Sequence, residues 1–292
     1  MKDTLALRAL AKINLGLDVL GRRENGYHDV RMIMQTIYLY DNVTLEKTEE
    51  EGISLTTNLF YLPENKNNIA YQAADMLMRE FPLPGGIRIH LDKHIPVSAG
   101  LAGGSSNAAA VLVGMNIMYD LGLSQKDLME RGVALGADVP YCVMRGTVLA
   151  EGIGEILTPV DPLPKCHILI AKPGISVSTK AVYEKLDSGE IKAHPDIDAI
   201  IDGLRAQDIR KVAASMGNVL EQVTVEAYPV IEAIKDAMKE QGALNAMMSG
   251  SGPTVFGIFE TKADAKRARE AILRRKLARQ VYVANVHNTW RR

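Results

Sequence analysis

From Leu5 to Val19 every odd position is apolar: Leu5, Leu7, Ala9, Ala11, Ile13, Leu15, Leu17 and Val19. Arg8, Lys12, Asn14 and Asp18 all fall on even positions. Alternation with a period of two predicts a strand, or two strands joined by a bend, with one face buried. Arg8 reads as part of a solvated face. Lys12 and Asn14 point the same way, about 7 Å apart along the strand. Set among Ala, Gly and Leu, they fit the lining of a cleft at least as well as an outer surface. Asn25-Gly26 is a hairpin signal. The strand resumes near Asp29 and runs to about Tyr40, Asp41-Asn42 reads as a turn, and Val43 to Lys47 starts another strand. Asn58 to Asn68 is a loop, followed by a helix from Ile69 to about Glu80 that Pro82, Pro84 and Gly85-Gly86 end. Ile87 to Leu91 alternates as a strand.

The next stretch breaks both periods. From Ile95 to Tyr119 there is no Asp, Glu, Lys or Arg. Its first half is rich in Gly, Ser and Ala, with Gly100, Gly103 and Gly104; its second half, Ala108 to Met118, is apolar and helix-forming. Ser105, Ser106 and Asn107 are N-cap types standing just before that run. A glycine loop feeding a helix N-terminus presents amide N–H groups and the positive end of a dipole, a ready phosphate cradle. The plain alternative is a loop before a buried helix, with glycines placed by packing. The doubled Gly-Gly-Ser-Ser and the missing charges favour the anion. No Lys follows the glycines, so this is not a P-loop. The apolar part is too short to span a membrane.

Ser124 with Asp127 opens a helix that ends at Gly136. In Gly136-Ala-Asp-Val-Pro140 the proline biases Val139 away from helix, which leaves Asp138 in a turn. Asp138 is the only acidic residue between Glu130 and Glu151. It fits a helix cap, and it fits a general base in apolar company. Val143 to Ala150 reads as a strand turned by Gly152 and Gly154. Pro159, Pro162 and Pro164 look like a junction, giving domains of residues 1–160 and 161–292. Beyond it come a strand (Cys166 to Ala171), a helix (Thr179 to Leu186) and one or two helices between Asp196 and Gly217. An amphipathic helix (Tyr228 to Gln241) leads to strand, glycine turn and strand from Ala243 to Phe259. A basic helix (Lys262 to Arg279) and a last strand (Tyr282 to Val286) follow. The turn Ser249-Gly-Ser-Gly-Pro-Thr254 is either an ordinary hairpin or a backbone wall close to a ligand.

Composition narrows the classes. The 292 residues are 47% hydrophobic and 24% charged, with 34 Lys and Arg against 35 Asp and Glu. That balance draws the chain to neither nucleic acid nor membrane. Cys142 and Cys166 are too few for a metal cluster or disulfide framework and read as reduced core residues, hence a cytoplasmic protein. Arg8, Lys12 and Asp18 interrupt any signal-peptide core. A phosphate cradle, a lone carboxylate, a strand lysine and the Tyr27-His28 pair together suit phosphoryl transfer, which needs positioning and charge stabilisation.

Five stretches carry a resemblance across nearly the whole chain: Ala11-Lys-Ile-Asn14, Gly21-Arg-Arg with Gly26-Tyr-His28, the loop from Pro96 to Ala109, Gly136-Ala-Asp-Val-Pro140 and Ser249-Gly-Ser-Gly-Pro253. They resemble the GHMP kinases, in particular the branch that phosphorylates a cytidine-diphosphate-linked methylerythritol in non-mevalonate isoprenoid synthesis. The resemblance implies an α/β (α+β) fold of two domains, ribosomal-S5-like and then ferredoxin-like, with the site in the cleft between. It implies ATP and Mg2+, and direct in-line transfer to the C2 hydroxyl with Asp138 as base and Lys12 orienting the hydroxyl. ATP binding falls to Pro96, Val97, Ser98, Ala99, Gly100, Leu101, Ala102, Gly103, Gly104, Ser105 and Ser106. Substrate binding falls to Asn14, Tyr27, His28, Thr179 and Tyr183, the last closing on the cytosine ring.

Ala102 stands where many relatives carry Gly, which is tolerable if its φ is negative. Tyr183 replaces a Phe found in some. No stretch supplies an evident magnesium carboxylate; Ser106 and the phosphates are the available ligands. The expected partner is the small-molecule substrate, with no nucleic acid or membrane, in a monomer or weak homodimer. The competing readings are a homoserine or mevalonate-type GHMP kinase and a non-catalytic nucleotide-binding relative.

Overall fold

The computed structural model describes residues 3–288. It opens with β1 (Thr4–Arg22), a single unbroken strand. From Ala9 to Val19 every residue is buried, so the one-faced burial predicted from the alternation holds only at the start of the strand. The polar side chains on the second face are buried because they are bonded. Asp18 Oδ1, for example, takes the Val19 amide at 2.9 Å and lies 2.7 Å from His194 Nδ1. Arg8 stays exposed, its guanidinium 4.8 Å from the centre of the Tyr40 ring.

The predicted Asn-Gly turn closes through Arg23 N to Tyr27 O at 2.7 Å and Gly26 N to Arg23 O at 3.0 Å. It leads to β2 (His28–Thr48), which runs straight through Asp41-Asn42. The turn expected there does not form. Asp41 is fully buried, and its carboxylate accepts the backbone amides of His94 at 2.6 Å and Ile95 at 2.8 Å. Its other oxygen takes Asn107 Nδ2 at 2.9 Å and the Lys93 ammonium. A carboxylate that satisfies four donors from other segments has no call to bend its own backbone.

Next come β3 (Gly52–Thr57), α1 (Ile69–Glu80) capped by Asn68, and β4 (Gly86–Asp92). Then α2 (Gly103–Tyr119) begins five residues before the predicted start, so Ser105, Ser106 and Asn107 lie inside it rather than capping it. Its cap is Ala102, at φ 55° and ψ 29°. This is the left-handed region, contrary to the negative φ under which an alanine was expected to be tolerated. The predicted capping box of Ser124 and Asp127 opens α3 (Gln125–Val133). Val139 then starts α4 (Val139–Met144), where Pro140 is accommodated in a first turn that needs no amide from it. Val143 and Met144 are helical, and the strand placed there begins later, as β5 (Thr147–Glu151).

A short β6 (Ile156–Pro159), which the sequence reading did not place, precedes β7 (His167–Lys172), α5 (Thr179–Asp187), α6 (Ile197–Arg205) and α7 (Ile209–Ser215), which follow that reading closely. A two-residue β8 (Gly217–Asn218) and α8 (Glu221–Ala227) lead into α9 (Val230–Glu240). The last elements are β9 (Asn245–Met248), β10 (Val255–Phe259), α10 (Lys262–Arg274) and β11 (Gln280–Asn285).

Two compact units are interleaved along the chain. The first takes the chain to Ala11, Leu39–Val97 and Ala102–Met144; the second takes Lys12–Tyr38, Ser98–Leu101 and the chain from Arg145 onward. In the first, β4 pairs antiparallel with the later part of β2 and parallel with β3, while α1 and α4 pack on α2. Ten residues of α2 are buried, which is why its sequence is apolar all round. In the second, an antiparallel sheet runs β11-β7-β10-β9, with α9 and α10 packed on it. There too β1 pairs parallel with β8 and β2 antiparallel with β5, which turns back as β6.

Candidate active site

In the second unit, β1 sets Lys12 and Asn14 on the same side of the strand, and Lys12 Nζ donates to Asn14 Oδ1 at 2.7 Å. Lys12 is 5% exposed and Asn14 is wholly enclosed. The Asn14 amide nitrogen lies 3.2 Å from Met32 Sδ. The backbone amide of Lys12 donates to Leu101 O at 3.1 Å, which ties the strand to the end of the glycine loop.

That loop carries positive φ at Ser98 (50°) and Gly100 (72°), with Ala99 between them. Backbone that alternates hand in this way turns successive amides to one side, an anion-binding concavity. Gly100 lies against the second glycine turn. Ser249 Oγ donates to Gly100 O at 2.9 Å, and a Cβ on Gly100 would overlap the Ser249 carbonyl oxygen. Asn218 Nδ2 holds that turn from beneath, reaching Met248 O at 2.9 Å and Gly250 O at 2.8 Å. The turn is therefore more than a hairpin connection: it is a rigid backbone wall behind the first loop. Ser251 Oγ also lies 2.8 Å from Thr179 Oγ1.

Tyr27 and His28 leave the Asn-Gly turn on an anchored backbone. Arg23 clasps Asp29 with its Nε at 3.0 Å and Nη2 at 2.6 Å, which holds the Asp29 carboxyl below the usual carboxylate range. Tyr27 is largely exposed. The His28 ring lies 4.6 Å from the Tyr183 ring, centre to centre, with 34° between their planes. Tyr183 thus touches the imidazole directly, leaving no gap for a base between those two rings. His28 borders a hollow of about 480 Å3 that Val19, Gly21, Leu186, Asp187 and His194 also line.

The first unit holds the other residues singled out from the sequence: Pro96, Val97, Ala102 to Ser106 and Asp138. Ala102 has no side chain with which to cap α2, so the first-turn amides of that helix are left for an external acceptor. Gly104 is exposed and Gly103 and Ser105 are half-buried. Ser106 is buried, and its hydroxyl donates to Leu10 O at 2.7 Å. Asp138 is half-buried in the turn before α4, its carbonyl accepting Cys142 N at 3.0 Å. Among the described residues no three His, Cys, Asp or Glu side chains gather as a metal cage. Ser106, the magnesium ligand expected from the sequence, has its hydroxyl turned to Leu10 O.

Sequence reasoning did not find two residues that shape this site. Asn218 acts through contacts with the backbone of a distant turn, which leave no local trace. Asp187, which meets His28, sits at the end of an ordinary amphipathic helix.

Comparison with known proteins defines the class, a small-molecule kinase. Residues 68–146 match the GHMP kinases N terminal domain and residues 200–279 match the GHMP kinases C terminal model; the chain belongs to the GHMP kinases. Within them it falls in the family of 4-diphosphocytidyl-2-C-methyl-D-erythritol kinases. It is 56% identical to the protein of that name from Lachnospira eligens over 96% of this chain and 97% of the other. A crystal structure of 4-(cytidine 5'-diphospho)-2C-methyl-D-erythritol kinase superposes with a TM-score of 0.82 at 31% identity, covering 98% of this chain and 100% of that one. A homoserine kinase from Cytophaga hutchinsonii reaches a TM-score of 0.79 at 21% identity over 98% and 96% of the two chains, a likeness of fold alone.

Proposed function

We propose that the protein transfers the γ-phosphoryl group of ATP to the C2 hydroxyl of 4-diphosphocytidyl-2-C-methyl-D-erythritol, a step of the non-mevalonate isoprenoid pathway. The observation that carries this reading is the 56% identity with a kinase of that name over nearly the full length of both chains. In the proposed reaction the phosphates rest on the loop from Pro96 to Ser106, whose amide donors begin at Val97, supported by the bare first turn of α2. Asp138 takes the proton of the attacking hydroxyl as general base. Lys12, kept in one rotamer by its bond to Asn14, orients that hydroxyl and offsets the charge that develops on it. Tyr27, His28 and Tyr183 receive the cytosine, and Asn14 and Thr179 are proposed as polar contacts to the rest of the substrate. Magnesium bound with the nucleotide phosphates would offset their charge, with Ser106 as the residue that would help to hold it. Cys142 and Cys166 are buried in the thiol form, which supports a reducing, cytoplasmic setting; the chain is proposed to act as a monomer or weak homodimer.

The test is a coupled kinase assay in which purified protein is offered the cytidylylated methylerythritol, homoserine, mevalonate and phosphomevalonate side by side. Turnover confined to the first supports the proposal; comparable turnover of homoserine or a mevalonate rejects it. For the mechanism, Asp138→Asn is expected to lower kcat about a hundredfold or more while leaving the KM for ATP little changed. Nearly full kcat in that variant would remove Asp138 from the role of base.

A further inference from the structure

His28 is held from two sides by a single helix. On α5, Tyr183 and Asp187 stand four residues apart and so share a helix face. Tyr183 lies over the imidazole at 4.6 Å, and Asp187 Oδ1 is 2.7 Å from His28 Nε2. The other carboxylate oxygen, Asp187 Oδ2, is 3.5 Å from Arg22 Nη1, so both oxygens are committed. The His28 side chain is only 9% exposed. A carboxylate oxygen accepts and cannot donate, so the hydrogen of this contact belongs to Nε2. In the neutral imidazole that leaves the lone pair on Nδ1.

We infer that Asp187 is a positioning residue for nucleobase recognition: it fixes His28 in the tautomer whose Nδ1 accepts a hydrogen bond. An acceptor at that place suits the exocyclic amine of an aminopyrimidine. It opposes the carbonyl oxygen that an oxopyrimidine carries at the same ring position, because two acceptors would then face each other. Tyr183 sets the plane of the imidazole and Asp187 its edge, so α5 decides which base the site takes. The inference rests on the proposal that His28 contacts the cytosine.

The test combines steady-state kinetics of Asp187→Ala, Asp187→Asn and His28→Ala with nitrogen NMR of the histidine ring in the unsubstituted protein. The expected spectrum has the proton on Nε2 of His28; a proton on Nδ1 alone overturns the inference without any variant. Asp187→Ala is expected to raise KM for the cytidine-diphosphate substrate about tenfold, with kcat and the KM for ATP moving less than about twofold. It should also narrow the preference over the uridine-diphosphate analogue. Asp187→Asn, whose amide oxygen can accept the same Nε2 hydrogen, should restore KM to within about threefold of the unsubstituted enzyme. If His28→Ala raises KM for the cytidine substrate while both Asp187 variants leave it unchanged, the inference fails and the pocket stands. If His28→Ala also leaves it unchanged, the pocket reading itself fails. Parallel losses in kcat and both KM values for the Asp187 variants would mark a structural residue and reject the assignment.

Discussion

Ala102 shows how far a single position can be judged from sequence. The resemblance marks Ala102 as an alanine at a position expected to hold glycine, but it does not reveal the backbone angle. With φ at 55°, the alanine Cβ crowds its own carbonyl. Ala102→Gly is therefore expected to stabilise the fold by up to about 1 kcal/mol, offset in part by the greater freedom of glycine in the unfolded chain. A urea titration measures it, and a clear loss of stability would contradict the strain. His287 gives a second prediction. Burial, and then the like charge of Arg145, hold its imidazole below the ordinary value. The unfolded chain thus binds a proton where the folded one does not. The neutral form contributes fully above about pH 6.5, and that contribution is lost as pH falls toward the folded-state value. His287→Gln should flatten the fall of the urea midpoint between about pH 6.5 and 5; an unchanged slope would count against it. Lys12 stood out in the sequence because Ala, Gly and Leu surround it, and the structure buries it. Asp187 was not, because an acid near the end of a surface helix is ordinary until the imidazole it meets is known.

The elements were read best where one period ran without competition. Helix α1 was placed residue for residue because an apolar stripe, an asparagine cap and a proline-glycine stop agree. Strand β2 was broken wrongly because Asp-Asn reads locally as a turn, while the donors that keep it extended come from residues 93–107. That network is a structural anchor: Lys93 donates to Asn107 Oδ1 at 2.6 Å and to Asp41, and all three side chains are buried. Asp41→Ala would take the carboxylate away from four donors: the Lys93 ammonium, the Asn107 side-chain amide and the backbone amides of His94 and Ile95. The expected loss of stability is about 3–5 kcal/mol, read by chemical denaturation. A loss below about 1 kcal/mol would mean that water reaches the network. The late start given to α2 has a similar cause, since glycine and serine argue locally for a loop, while α1 and α4 pack on the helix from distant segments.

At the scale of the molecule, motif order was enough to point to the family, but no local signal marks where β1 and β2 pass from one unit to the other. That division is set by which segments touch, not by composition. The chain crosses between the units at residues 11/12, 38/39, 97/98, 101/102 and 144/145, so neither can lose its strands without disturbing those of the other. Unfolding is expected as one cooperative transition, and ATP at a hundred times its Kd should raise stability by about 2.7 kcal/mol. Scanning calorimetry with and without nucleotide checks both statements. Two resolved peaks, or no upward shift, would refute them.

The direct contact between His28 and Tyr183 bears on inhibition. A planar compound designed to slide between those rings meets a closed door and must wait for α5 to swing away. Its association should lag well behind ordinary encounter, and once seated its residence should be long. Chemistry aimed instead at the exposed face of Tyr27 and the neighbouring hollow would meet no such barrier.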